Sequence, residues 1–228
     1  NNNMSTQITT EQVKELRDAT GISVMQCKRA LEEAEGDMKK ALAILKKTSS
    51  DIALKKADRS LNSGSVTIKN ECNKAVLVGL LCETDFVAKN EDFTSLLEKI
   101  AALALKDGIE KMKSGVKEMI DQIIQKTGEN IQLGDVYEVK GNVLGSYVHN
   151  NKTGVIVSLE GGNVELAKDI AMHIAALKPI CVSPDQVDQA YLAKEKEIAI
   201  EQLKSQNKPA AMIEKIIEGK MAKIASDV

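Results

Sequence analysis

The chain has 228 residues, 43% of them hydrophobic and 28% charged, with a formal net charge of −2 and a pI of about 5.9. That balance excludes the class of nucleic-acid binders whose affinity comes from Lys and Arg neutralising phosphates. Aromatic content of 2% without Trp, and only three Pro, favour packed helices over a broad β-sandwich.

Asn1, Asn2 and Asn3 stand before Met4 and are expected to be an expression scar. Residues 1–47 read as a module of three short helices. Thr9 with Gln12 and Ser23 with Gln26 fit capping boxes, Gly21 and Gly36 supply stops, and Asp37 caps the third helix. Cys27, Ala30, Leu31 and Ala34 repeat at helical spacing, as do Met38, Ala41, Leu42 and Leu45. Residues 48–64 turn polar and basic and read as a linker, either partly helical or, as the preferred reading, a solvated connector.

Residues 65–129 read as a first core subdomain. Strands at 65–69 and 74–83 flank the turn Asn70–Asn73, followed by a helix with Phe93, Leu96, Leu97 and Ile100 inward. A second helix carries Val116, Ile120, Ile123 and Ile124. Residues 130–182 read as a related subdomain, with strands at 131–140, 143–149 and 155–160. Asn163 then caps a helix with Leu166, Ile170, Ile174 and Leu177 inward. Leu96-x-Glu-Lys-Ile100-Ala and Leu166-x-Lys-Asp-Ile170-Ala suggest a duplicated hairpin-plus-helix unit. Residues 183–228 read as an antiparallel helical hairpin: Ser183-Pro184 opens it and Asn207-Lys208-Pro209 breaks it. Val187, Tyr191, Ile198, Ile213, Ile216, Ile217 and Ile224 form its inner stripe. The expected fold class is α+β.

Signals for catalysis are scarce. No phosphate-binding loop, nucleophile elbow or His-Glu-x-x-His helix occurs, so the chain is read as having no catalytic site, cofactor or metal of its own. The four Cys lie in apolar stretches without Cys-x-x-Cys spacing and are expected as buried thiols. His173 reads as a packed or partly exposed residue, and Gly161-Gly162-Asn163 as a strand-to-helix turn. No apolar run reaches bilayer-spanning length and no signal pattern opens the chain, which points to the cytoplasm of a bacterium or to an organelle after removal of a transit peptide. One stretch stands out. After the apolar strand ending at Cys82 comes Thr84-Asp85-Phe86-Val87-Ala88-Lys89-Asn90, with a helix expected to start at Thr84 or Asp85. Phe86 in its first turn reads equally as a lid on the core or as an aromatic anchor offered to a partner, with Asp85 as its charged neighbour.

These residues, together with Phe93, resemble the signature of the elongation factor Ts family. Val13-Lys14-Glu15-Leu16-Arg17 through Leu31, Gly141 through His149, Ile170 through Ala176, and Glu214 through Met221 are similar to further family stretches, in order over nearly the whole chain. The resemblance implies a ubiquitin-associated-like helical module, a core of two related subdomains and a coiled-coil arm. It implies elongation factor Tu bound to GDP as the partner, with no nucleic acid and no membrane involved. A homodimer or a 2:2 complex is among the assemblies it allows. By that resemblance Thr84, Asp85, Phe86 and Val87 enter the partner and displace its Mg²⁺, with Arg17, Val24, Met25 and His149 as further contacts. Many family members continue into a further segment that packs on the partner. Ending at Val228, this chain is expected to be a short or truncated form, with the insertion element unaffected. The alternatives from the residues alone are an adaptor binding another protein through its N-terminal helices, and an enzyme with an unrecognised site.

Overall fold

A computed structural model of the chain describes residues 8–205 and 210–227. Asn1–Asn3, the expected break at Asn207-Lys208-Pro209 and the side chain of Ile224 lie outside what is described. The chain divides into two compact units, Asn1–Ala175 and Ala176–Val228, and its mixture of helix and sheet agrees with the α+β class.

Three helices open the first unit: α1 (Thr10–Thr20), α2 (Val24–Glu33) and α3 (Met38–Lys56). Thr9 and Gln12 form the reciprocal capping box, Gly21 closes α1 in the left-handed region at φ 67°, and Asp37 accepts from the Lys39 and Lys40 amides. Leu16, Cys27, Leu31, Ala41 and Leu45 make a small core of their own. Of the two readings of the linker, the partly helical one holds over its first half, because α3 runs on to Lys56, and the solvated connector is corrected there. Ile52 and Ala53 reach the main core, so burying them favours continuing the helix despite its polar composition. Ser49 is buried and bonds to Gln125, while the Ser50 hydroxyl donates to Asp121 at 2.9 Å.

Strands β1 (Ser63–Glu71) and β2 (Lys74–Cys82) form a hairpin closed at Cys72-Asn73, with Cys72 at φ 46°. The next elements depart from expectation in two respects. The helix after β2 is not continuous: a single turn, α4 (Asp85–Ala88), stops at Lys89, and α5 (Glu91–Asp107) starts afresh with Asn90 as its cap. After α6 (Ile109–Thr127), strand β3 (Ile131–Lys140) pairs antiparallel with β2 instead of opening a separate sheet, giving the order β1-β2-β3. One face of this sheet presents Val76, Val78, Leu80 and Cys82 to Phe93, Leu97 and Ile100 of α5 and to Val116, Ile120 and Ile124 of α6. Its other face, with Leu77, Leu81 and Tyr137, lines a cleft of about 820 Å³ that Val155 and Ile174 from later in the chain also line.

Strands β4 (Val143–His149) and β5 (Thr153–Leu159) form a second hairpin, followed by α7 (Val164–Leu177). Asn163 caps α7, accepting from the Leu166 amide at 2.8 Å. The inward face of α7 is corrected in part: Ala167 and Ala171 are fully buried and Ile170 and Ile174 half-buried, whereas Leu166 and Leu177 are exposed. A Cβ on Gly145 would lie 2.2 Å from the Ala167 backbone. Backbone therefore meets backbone there, and small residues form the seam. Gly161 and Gly162, at φ 101° and 79°, make the strand-to-helix turn.

In the second unit Pro184–Gln186 form a short 3₁₀ turn, and the helix expected to start at Pro184 begins later, as α8 (Gln189–Ser205), with Asp188 accepting from the Ala190 amide at 2.9 Å. It packs against α9 (Ala210–Asp227). Val187, Ala199, Leu203 and Ile217 are buried, while Tyr191 and Ile198 face outward, contrary to the expected stripe. Among the cysteines, Cys27 and Cys82 are buried, Cys181 is half-buried and Cys72 is exposed in its turn, so the expectation of four buried thiols fails for two.

Candidate functional site

Every residue of the α4 turn except two is tied down. Thr84 caps it, its hydroxyl accepting from the Val87 amide at 3.4 Å. The same hydroxyl donates to Glu129 at 2.6 Å, and the Thr84 amide donates to the other oxygen of that carboxylate at 3.0 Å. Just before it, Glu83 accepts from the Asn130 amide at 2.6 Å and pairs with Arg59 at 3.4 Å. At the far end Ala88 is buried and its carbonyl accepts from Ser65 at 3.1 Å, while Val87 packs against the main core. The side chains that face outward from the turn are Asp85 and Phe86.

Phe86 is 84% exposed. The reading of Phe86 as a lid on the core is therefore removed, and the aromatic ring stands in water on a braced turn, an arrangement that marks interaction sites more often than structural ones. Beside it, the Lys89 ammonium hydrogen-bonds the Asp85 carboxylate at 3.0 Å and holds it below the usual carboxylate range, so Asp85 stays negative. Behind the turn, burial and then the charge of Glu129 push the Cys82 thiol up to about 11. It remains protonated and chemically quiet.

The other expected contacts reach this region through identifiable links. Arg17 is exposed on α1, and Val24 and Met25 at the start of α2 are 47% and 61% exposed. The turn joining those helices lies against the core: Gly21 sits beside the Lys126 side chain, which in turn pairs with Asp92 at 3.2 Å in the first turn of α5. His149 is exposed at the end of β4, its two ring nitrogens engaged by the Tyr147 hydroxyl at 2.9 Å and the Asn150 amide at 3.2 Å. The loop after it is fastened to β1, with Lys152 donating to the Ser63 hydroxyl and Gly64 carbonyl at 3.0 and 2.7 Å. The positive charge of Lys152 is felt at Asp85. His173 is exposed on α7 and stands apart from these links.

Sequence reasoning missed Glu129, Asn130, Lys126 and Lys152, and gave Glu83 no role. Nothing in the spacing ties Glu129 to Thr84, which lies 45 residues away. The one signal was Gly128, which reads as a helix stop and which, at φ 75°, turns the chain so that Glu129 faces the site.

Comparison with known proteins bears on the family of the chain. Residues 83–228 match the family model described as Elongation factor TS. Elongation factor Ts of Hydrogenovibrio crunogenus is 41% identical over 234 residues, covering 97% of this chain and 80% of that protein. Its counterpart from Hahella chejuensis is 42% identical over 228 residues with the same coverage. The Acinetobacter baumannii protein is 41% identical over 233 residues, covering 98% and 80%. This chain belongs to the elongation factor Ts family.

Proposed function

We propose that the chain binds elongation factor Tu carrying GDP and speeds GDP release by inserting Thr84–Val87 and displacing Mg²⁺ from the partner's nucleotide site. The observation that carries this reading is the exposed Phe86 on a turn braced at both ends. Binding a partner does not then require the chain to order the ring from a mobile loop, which would cost binding energy. Phe86 supplies the apolar anchor, and Asp85, kept ionised by Lys89, supplies a negative charge beside it.

Linkage gives the mechanism its direction. A protein that prefers the nucleotide-free partner weakens nucleotide binding by the same factor by which nucleotide weakens its own. Loss of the cation that offsets phosphate charge raises the rate at which the nucleotide leaves. The chain acts by binding and needs no catalytic group of its own. Arg17, Val24 and Met25 on residues 1–47 and His149 on the second hairpin are assigned auxiliary contacts with the same partner, and the helical pair in residues 183–228 a supporting role. The setting is the bacterial cytoplasm.

The test is stopped-flow release of a fluorescent GDP analogue from elongation factor Tu. Phe86→Ala is expected to slow catalysed release by about one to two orders of magnitude, the effect of losing an anchor worth roughly 1.5–3 kcal/mol. Unchanged release by the folded variant would overturn the proposal.

A further inference from the structure

A four-residue helical turn does not hold its shape alone, since nucleating one turn fixes several dihedrals for a single hydrogen bond. The direction in which α4 presents Phe86 must come from elsewhere. Two carboxylates supply it, in reciprocal fashion. Glu129 takes the amide and hydroxyl of Thr84 at 3.0 and 2.6 Å, and Glu83, next to Thr84, takes the amide of Asn130, next to Glu129, at 2.6 Å. An ionised carboxylate only accepts, so the hydroxyl hydrogen of Thr84 is committed to Glu129 and its oxygen is left to accept from Val87. Glu129 thereby fixes the capping rotamer as well as the backbone at the start of the turn. Such charge-assisted, two-point bonds are stronger than neutral ones and fix orientation as well as distance.

Glu129 is itself rigidly placed. Gly128 closes α6 with its amide on the Ile124 carbonyl at 2.8 Å, and its own carbonyl accepts from Lys56. Asn130 is buried, and its side-chain amide reaches the Arg59 carbonyl at 2.9 Å and the Ala57 carbonyl at 3.3 Å. The clamp is thus built on the end of α6 and the end of α3.

We infer that Glu129 is a positioning residue for nucleotide exchange, aiming Phe86 by holding Thr84 from outside the inserted turn. This rests on the reading that Phe86 enters the partner, and the test separates the two. In the full chain, Glu129→Ala is expected to slow GDP release at saturating concentration by about tenfold and to raise amide hydrogen exchange at Thr84 by about tenfold, with the melting temperature unchanged. Glu129→Gln, which keeps an acceptor oxygen, is expected to restore release to within about threefold of the parent. Combined with Phe86→Ala, Glu129→Ala is expected to add nothing, because no ring remains to be aimed. A merely structural residue would give an additive loss that follows the melting temperature. Unchanged release by Glu129→Ala, or full additivity with Phe86→Ala, overturns the inference. Should Glu129→Ala fail to fold, the same cycle is run with Glu129→Gln, and additivity there overturns it equally. If Phe86→Ala alone leaves release unchanged, the insertion reading falls, while Thr84 amide exchange still reports whether Glu129 holds the turn.

Discussion

The two phenylalanines of this chain have opposite fates. Phe93, on α5, is completely buried against the three-stranded sheet, and Phe86, on the α4 turn, is 84% exposed. In one continuous helix the two would share a face, since positions i and i+7 lie almost above each other. Both would then enter the core. The break at Lys89-Asn90 prevents this: Asn90 restarts the helix with its side chain accepting from the Asp92 amide at 2.9 Å, which leaves the preceding turn free to point elsewhere. Hydrophobic character alone does not assign a residue to the core. The capping residue between the two rings decides which one enters the core and which stays in water.

The comparison makes its largest prediction at Phe93. Phe93→Ala is expected to lower unfolding stability by about 3–5 kcal/mol, the combined transfer and cavity effect of a fully buried ring. Urea denaturation followed by circular dichroism measures it. Phe86→Ala is expected to leave the denaturation midpoint where it was and to show its effect only in GDP release. Should Phe86→Ala destabilise the chain as Phe93→Ala does, the contrast between the rings disappears.

A smaller effect tests the break itself. Asn90→Ala removes the cap of α5, which costs about 1 kcal/mol, and it also removes the signal that ends α4. Exchange is therefore expected to weaken by about threefold while Phe93 stays buried, a change of the size expected for an anchor displaced but not removed. Stability falling with no change in exchange would show that the break is held by Ser65, Glu83 and Glu129 without help from Asn90.

Much of the fold was legible because it is written locally. The capping box at Thr9, the cap at Asp37, the stop at Gly21 and the stripe through Phe93, Leu96 and Leu97 depend on neighbours in sequence. The expectations that failed depend on partners far along the chain. Small Ala167 and Ala171 face inward on α7 because Gly145 lets the backbones meet, and no helical period records that. Strand β3 joins β2 because its register brings Ile131 opposite Cys82 and Lys140 opposite Lys74, a pairing that a count of strands does not reveal. Residues 48–56 read as polar because the apolar contacts with the core are few, Ile52 and Ala53, and the rest come from the hydroxyls of Ser49 and Ser50. At the candidate site, Thr84, Asp85, Phe86 and Val87 were visible as a motif, whereas the exposure of Phe86 and the hold of Glu129 required the tertiary structure. The break was in principle readable, since Asn90 followed by Glu91 and Asp92 is a helix-start signature.

The smallest prediction concerns pH and belongs wholly to the Phe93 side of the comparison. Glu98, on the outer side of α5, ties that helix to β1 by accepting from Thr67 at 2.5 Å and pairing with Lys69 at 2.5 Å. Partial burial pushes its carboxyl up, but the hydrogen bonds from Lys69 and Thr67 together outweigh it, so the folded value lies below the ordinary one. Protonation therefore favours the unfolded chain. The stabilisation from Glu98 is complete above the unfolded carboxylate range, about 4.3, and is lost as pH falls through the lowered folded value. Because Lys69 and Glu98 are both substantially exposed, solvent screening keeps the contribution small. Glu98→Gln is accordingly expected to flatten the acid limb of stability against pH by lowering stability slightly at neutral pH and leaving it unchanged below the carboxylate range, with no change in GDP release. Denaturation midpoints across that acid range check it. An acid limb identical to that of the parent chain would mean that Lys69 and Thr67 do not hold Glu98 in solution, and that α5 is anchored to the sheet by its apolar face alone.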